Sequence, residues 1–223
     1  MLPKLWPDQT LIYCGLFLLI CGTARAGVVE LTFTEAANAR PLANVIVQVG
    51  GTAGVVPDRA VMSQKNRAFD PHILTVVRGS EVSFPNNDNT QHHVYSFSST
   101  KPFNIELYAG HPETPVVFDR TGIVELGCNI HDHMQAFILV ADTPHVARSG
   151  ADGRVRLDVP DRMLSGSGLE IRLWHPRLQD NTISEVRHLP GSWPVQQSLT
   201  LELAPEQADS MGLGGLQKRF QEL

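Results

Sequence analysis

Cysteine is scarce in this chain: three in 223 residues, and two of them, Cys14 and Cys21, fall within the first 26 positions. With those set aside only Cys128 remains, so no disulfide can form within the rest of the chain, and a disulfide-stapled scaffold is excluded. Positive charge is also in short supply. Eighteen Lys and Arg stand against 23 Asp and Glu, a formal net charge of −5. Without a basic field the attraction that draws proteins to nucleic acid is missing, and no nucleic-acid partner is expected. There is no Gly-rich phosphate loop, no nucleophile elbow and no pair of carboxylates placed for acid–base catalysis, so nothing points to an enzyme. Helical periodicity is scarce as well. What remains, 42% hydrophobic and 18% charged residues, is an ordinary globular composition rather than a disordered or collagen-like one.

The run Leu11–Ile20 is apolar but too short to anchor in a bilayer. Lys4 precedes it and Ala24-Arg25-Ala26 follows it, which together make residues 1–26 a secretory signal peptide, the alternative being an uncleaved N-terminal anchor. Ile20 occupies the place of the small residue that precedes a lipoprotein cysteine, which argues against lipidation at Cys21. Export implies a periplasmic protein with no stable membrane insertion after cleavage. In that oxidising compartment a lone thiol is buried, paired with another molecule, or held as a metal thiolate.

Beyond the signal, period-two patterning dominates. Val28 to Thr34, Val45 to Val49, Ile73 to Val77, Glu81 to Phe84, His93 to Phe97, Val116 to Phe118, Ile123 to Leu126 and Ala136 to Val140 read as strands, most of them separated by Gly, Pro or Asn. Arg154 to Val159, Leu169 to Trp174 and Ser198 to Leu203 extend the pattern, with Asp152-Gly153 as a hairpin signal. The fold class expected is all-β, built as sandwiches. Residues 205–223, with Gly212, Gly214 and Gly215, read as a flexible tail.

The stretch with chemistry in it is Gly127-Cys128-Asn129-Ile130-His131-Asp132-His133-Met134-Gln135, a loop between two apolar strands. A thiolate, an imidazole and a thioether from one loop need only a second imidazole to make a trigonal His2Cys site with a weak axial sulfur, the ligand set of a copper centre. Upstream, Phe84 to Val94 ends in the pair His92-His93 at the start of a strand. Adjacent strand residues point to opposite faces, so only one of the two can face the metal without local distortion. Asp132 and His133 read as solvated loop residues, with Asp132 close enough to tune the site or supply a ligand. His72, His111, His145, His175 and His188 lack metal-ligand spacing and read as structural or exposed.

Residues 57–141 resemble the cupredoxin family, in its plastocyanin and amicyanin branch. The resemblance is carried by Phe69-x-Pro71, Val76-x-x-Gly79-x-x-Val82-x-Phe84-x-Asn86, the His92 segment and the Cys128 to Met134 loop. Gly127-Cys128-Asn129-Ile130-His131-Asp132 is also similar to a run in exported bacterial proteins labelled methylamine utilisation proteins. The resemblance implies a Greek-key β-sandwich holding one type 1 copper, with His92, Cys128, His131 and Met134 as its metal ligands. His93 stands where the family commonly has Asn, which ties the ligand loop to the Cys loop; an imidazole there either does the same work or competes as ligand.

On either side of that stretch, Arg40-Pro41-Leu42-Ala43-Asn44-Val45-Ile46-Val47 and Ala151 to Pro160 resemble strands of a carboxypeptidase regulatory-like domain. Two arrangements follow. Either residues 27–56 and 142–204 form one small β-sandwich into which the copper domain is inserted and from which it is separable, or two domains stand in tandem with an N-terminal extension. The function this reading implies is an exported blue copper protein that carries single electrons between redox partner proteins and is not an enzyme. The alternative is a copper-binding or structural module of the cell envelope, distinguished by a colourless site. A thiol enzyme using Cys128 and His131 would lack a third orienting group.

Overall fold

In the computed structural model, residues 26–50, 54–112, 114–160, 163, 168–190 and 192–205 are described. The signal-peptide reading of 1–26 and the tail reading of 205–223 lie, but for one edge residue each, outside them. All regular structure of any length among the described residues is strand. Two strands come first, β1 (Ala26–Glu35) and β2 (Ile46–Val49). Three short ones follow, β3 (Arg59–Val61), β4 (Ser63–Lys65) and β5 (Ala68–Asp70). Then come β6 (Ile73–Val77), β7 (Ser80–Ser83), β8 (His92–Ser96), β9 (Phe103–Tyr108), β10 (Val116–Phe118), β11 (Gly122–Gly127) and β12 (Gln135–Ala141). The last five are β13 (Val146–Arg148), β14 (Arg154–Pro160), β15 (Leu169–Trp174), β16 (Glu185–Leu189) and β17 (Val195–Leu201).

The sheets sort these strands by chain segment. β1 lies between β14 and β17, and β2 lies between β13 and β15, whose other neighbour is β16. Strands β3 to β12 pair only among themselves, as a five-stranded sheet in the order β6-β12-β11-β8-β9, a three-stranded sheet β10-β7-β3 and the β4-β5 hairpin. Each group has its own core. Val29, Leu31, Phe33, Val45, Val47, Val49, Leu169, Ile171 and Leu173 share one cluster. Met62, Phe84, Val94, Phe118, Val124, Leu126, Ala136, Ile138 and Val140 share another, and Cys128 and Met134 belong to it.

Strand alternation explains a third cluster between the two. Ala136, Ile138 and Val140 of β12 point into the core that holds Cys128, so Phe137, Leu139 and Ala141 must point the other way. They meet Ile46 of β2, Trp174 of β15 and Leu178 in a shared buried cluster. From Ala136 to Ala141 the β12 run is apolar at every position because both faces of the strand are covered.

Several elements differ from the sequence reading. The short strands β3, β4, β5 and β13 carry too few alternating apolar positions to be read from pattern. The edge strands β9 and β16 are mostly exposed or half-buried, so tertiary pairing rather than propensity decides them. Asp152-Gly153 does turn the chain, with Gly153 at φ 74°, but its flanking strands do not pair as a hairpin: β13 joins β2 and β14 joins β1. The close approach of this turn to β1 is the reason. The Phe33 amide donates to the Gly153 carbonyl at 2.8 Å, and a Cβ on Gly153 would lie 2.4 Å from the Phe33 carbonyl oxygen.

Candidate metal centre

The five-stranded sheet brings the two ends of the motif together. β11 and β8 run antiparallel with Gly127 opposite Tyr95, so Cys128, one residue beyond β11, emerges beside the first residues of β8. The loop then turns back on itself. Met134 N–H donates to the His131 carbonyl at 3.0 Å and Gln135 N–H to that of His133 at 3.1 Å, which folds the loop into a short hook before β12. Cys128 and Met134 are buried on the core side of the hook, His131 is half-buried, and Asn129, Ile130, Asp132 and His133 face solvent.

His92, Cys128 and His131 each offer a donor atom, all within 4.8 Å of one another. Cys128 Sγ lies 3.9 Å from His131 Nδ1. Metal–sulfur and metal–nitrogen bonds of about 2.3 and 2.0 Å at a trigonal angle span roughly 3.7 Å, so this edge fits a metal seated between the two atoms. The His92 and His131 ring centroids are 4.9 Å apart. His92 is fully buried; its Nε2 is 2.8 Å from Asp88 Oδ2, while its Nδ1 is buried with no hydrogen-bond partner among the described residues. A buried polar atom left unpaired is costly, and a metal is the partner the neighbouring thiol and imidazole share with it. These residues therefore fit a bound transition metal. Met134 packs in the same cluster as Cys128, on the hook where a weak fourth contact would arise.

Burial holds the His131 imidazole below its ordinary value, the neighbouring His92, Arg67 and His133 adding to the shift and Asp88 opposing it. Near neutral pH it keeps the free lone pair a metal requires. Burial pushes the Tyr108 phenol up to about 12, the hydrogen bond from Gln64 pulling against it and Cys128 adding to it. Tyr108 thus stays protonated, and its hydroxyl donates to the Phe84 carbonyl at 2.6 Å.

His93 is turned away from this cluster. Its Nε2 meets Asn104 Oδ1 at 2.5 Å and its ring lies 5.4 Å from that of Tyr95, so its bond runs to β9 rather than to the Cys loop. Its Nδ1 is buried without a hydrogen-bond partner among the described residues, as is Oε1 of Gln64. Asp132 is exposed and is not among the clustered donors. The carboxylate that does touch the cluster is Asp88, which sequence reasoning missed. Asn86-Asn87-Asp88-Asn89 reads as turn chemistry, and no local signal marks one of its side chains as a partner of His92.

No known family profile matches the chain, and no curated protein does. Among solved structures, a copper-containing nitrite reductase, NirK, from Thermus scotoductus SA-01 is similar at 20% identity and a TM-score of 0.35, over 42% of this chain and 25% of its own. The similarity thus spans only a quarter of that reductase. A pseudoazurin from Sinorhizobium meliloti is similar at 20% identity and a TM-score of 0.31, over 38% of this chain and 74% of its own. A purple cupredoxin from Nitrosopumilus maritimus is similar at 20% identity and a TM-score of 0.33, over 38% of this chain and 100% of its own.

Proposed function

We propose that the chain is an exported cupredoxin-type copper protein that carries single electrons, with one type 1 site formed by His92, Cys128, His131 and Met134. The observation that carries this reading is the convergence of the buried Cys128 thiol, the Nδ1 of His131 3.9 Å from it and a ring nitrogen of His92, whose Nδ1 is buried and unpaired among the described residues. Copper held by two imidazoles, a thiolate and a weak axial sulfur cycles between two oxidation states with little change of geometry. Cys128 supplies the thiolate, and its burial among Leu126, Met134 and Ala136 excludes water from the sulfur. His131, half-buried among exposed loop residues, is where a redox partner protein would approach. The protein acts as a carrier in the periplasm and not as an enzyme.

The domain arrangement proposed is the inserted one, with residues 27–56 and 142–204 as host and 57–141 as the copper unit. It is supported by β1 and β2, which pair with strands after Asp142 and not with those of the copper unit. The test of function is spectroscopic. Adding Cu(II) to the metal-free chain is expected to give an intense blue or green colour from thiolate-to-copper charge transfer, and Cys128→Ser should abolish it. A colourless complex, or a charge-transfer band that survives Cys128→Ser, refutes the assignment.

A further inference from the structure

We propose that Asp88 is the positioning residue of the centre: its carboxylate fixes the His92 ring with Nδ1 toward the metal and biases the site toward the higher oxidation state of copper. This rests on the copper site proposed above and adds to it a residue outside the ligand set.

Asp88 lies in the loop between β7 and β8, and its position is set from three directions. Its own N–H donates to Asn86 Oδ1 at 3.0 Å. Asn86 is in turn pinned, its Nδ2 donating to the carbonyls of Thr90 and Tyr108 at 2.9 Å each. The carboxylate receives two amides from the tip of the β4-β5 hairpin: Asn66 N–H at 2.6 Å to Oδ1 and Arg67 N–H at 2.8 Å to Oδ2. Asn66 and Arg67 both have left-handed backbones, φ 55° and 57°, as the two central residues of a tight hairpin turn do. The tip therefore presents successive amides to one carboxylate.

With those bonds made, Oδ2 still meets Nε2 of His92 at 2.8 Å. An ionised carboxylate can only accept, so the proton of the neutral ring belongs on Nε2 and the lone pair on Nδ1. Nδ1 is the atom left without a partner, on the ring whose donor lies among those of Cys128 and His131. The ring is thus held in one tautomer and one orientation before any metal arrives.

The charge has a second effect. With one thiolate and one nearby carboxylate, Cu(II) makes the local charge neutral and Cu(I) leaves it negative, so the carboxylate favours Cu(II) over Cu(I) in this enclosed site. Removing that charge alone should weaken the bias.

The test is Asp88→Asn in the full chain, which keeps the side-chain shape and one acceptor oxygen. Three quantities are measured: Cu(II) affinity by competition with a chelator, the reduction potential, and the 15N shifts of the His92 ring in the metal-free wild type. A carboxylate behind a ligating imidazole is worth 10–100-fold in metal affinity, so a loss of about that size is expected. A tenfold weaker preference for Cu(II) over Cu(I) raises the potential by about 59 mV, a readout that a merely structural role for Asp88 would not move. The metal-free wild type should carry the His92 proton on Nε2. Unchanged affinity and potential in Asp88→Asn, or a proton on Nδ1 in the wild type, overturns the proposal. If Asp88→Asn fails to fold, the wild-type tautomer still decides the positioning role. If the wild type binds no Cu(II) at all, the copper reading fails, while the tautomer measurement still judges the Asp88–His92 bond.

Discussion

Mild acid should unfold this protein partly through a single histidine remote from the metal site. His175 follows the last residue of β15 and is 5% exposed. Its Nδ1 accepts from the Arg177 N–H at 3.1 Å, and its ring also bonds the backbone of Ala43. Burial, with the charge of Arg177 beside it, pushes the imidazole down to about 4; the Ala43 bond and Glu35 oppose the shift without overcoming it. The ordinary value is about 6.5. Between those two values the unfolded chain binds a proton that the folded chain refuses, so stability rises with pH across that window. The contribution is fully present above about pH 6.5 and is lost as the pH falls towards 4. At about 1.4 kcal/mol per pH unit over roughly two and a half units, the loss is about 3 kcal/mol. That is a large part of a typical domain stability of about 5–15 kcal/mol. His72, also lowered by burial, adds a slope of the same sign. The assay is therefore a difference: denaturant unfolding of the metal-free chain at pH 7 and pH 4, for the wild type and for His175→Asn, which keeps an acceptor for the Arg177 amide. The variant should lose about 3 kcal/mol less than the wild type between the two pH values. Equal losses would show that His175 is not the group that refuses the proton.

Four further substitutions separate the parts of the site. Gly127→Ala should cost about 1–3 kcal/mol in thermal or denaturant unfolding and perturb the charge-transfer band, because its Cβ would lie 2.7 Å from Cζ of Tyr95, one residue before Cys128; unchanged stability would mean that the Tyr95 ring moves freely. His92→Ala should abolish the blue colour, whereas His93→Ala, which loses only the Asn104 bond and the Tyr95 contact, should keep it, as should Met134→Leu with a raised potential. Absorption spectra of the three copper-loaded variants check this, and loss of colour in His93→Ala alone would reverse the assignment.

Much of the candidate site was legible in sequence because its chemistry is concentrated in a short run. Cys128, His131 and Met134 share one loop, and residue type with spacing is enough to mark them. His92 needed one further fact, that its strand lies beside the strand leading to Cys128, which the sheet order β11-β8 supplies. Asp88 was not legible for the opposite reason. Its role depends on two amides from positions 66 and 67 and a ring at position 92, and nothing in an Asn-rich loop tells a turn-forming carboxylate from one that holds a histidine. The Asp152-Gly153 turn shows the same limit in the fold. Local chemistry fixes that the chain reverses there, but which sheet each flanking strand joins is decided by contacts with β1 and β2, more than a hundred residues earlier in sequence.

The strand β12 contributes to both the core around Cys128 and the cluster shared with the flanking segments. It starts immediately after Met134, so the rigidity of the loop depends on how firmly that strand is held. A strand apolar at every position from Ala136 to Ala141 needs cover on both faces, and its sequence says that cover exists without saying what supplies it. On one side the cover is the core that contains Cys128 and Met134. On the other it is Ile46, Trp174 and Leu178, from segments on either side of residues 57–141. Trp174 is fully buried there, with its ring 5.2 Å from that of Phe137 and its Nε1–H bonded to the Asn181 carbonyl at 2.8 Å. Cutting the chain at 57 and 141 would expose Ile73, Ile123, Phe137 and Leu139 together, an apolar face of the kind that soluble monomers rarely leave open. The flanking strands therefore do more than tether residues 57–141: they form the far wall of the strand that follows the Cys128–Met134 loop.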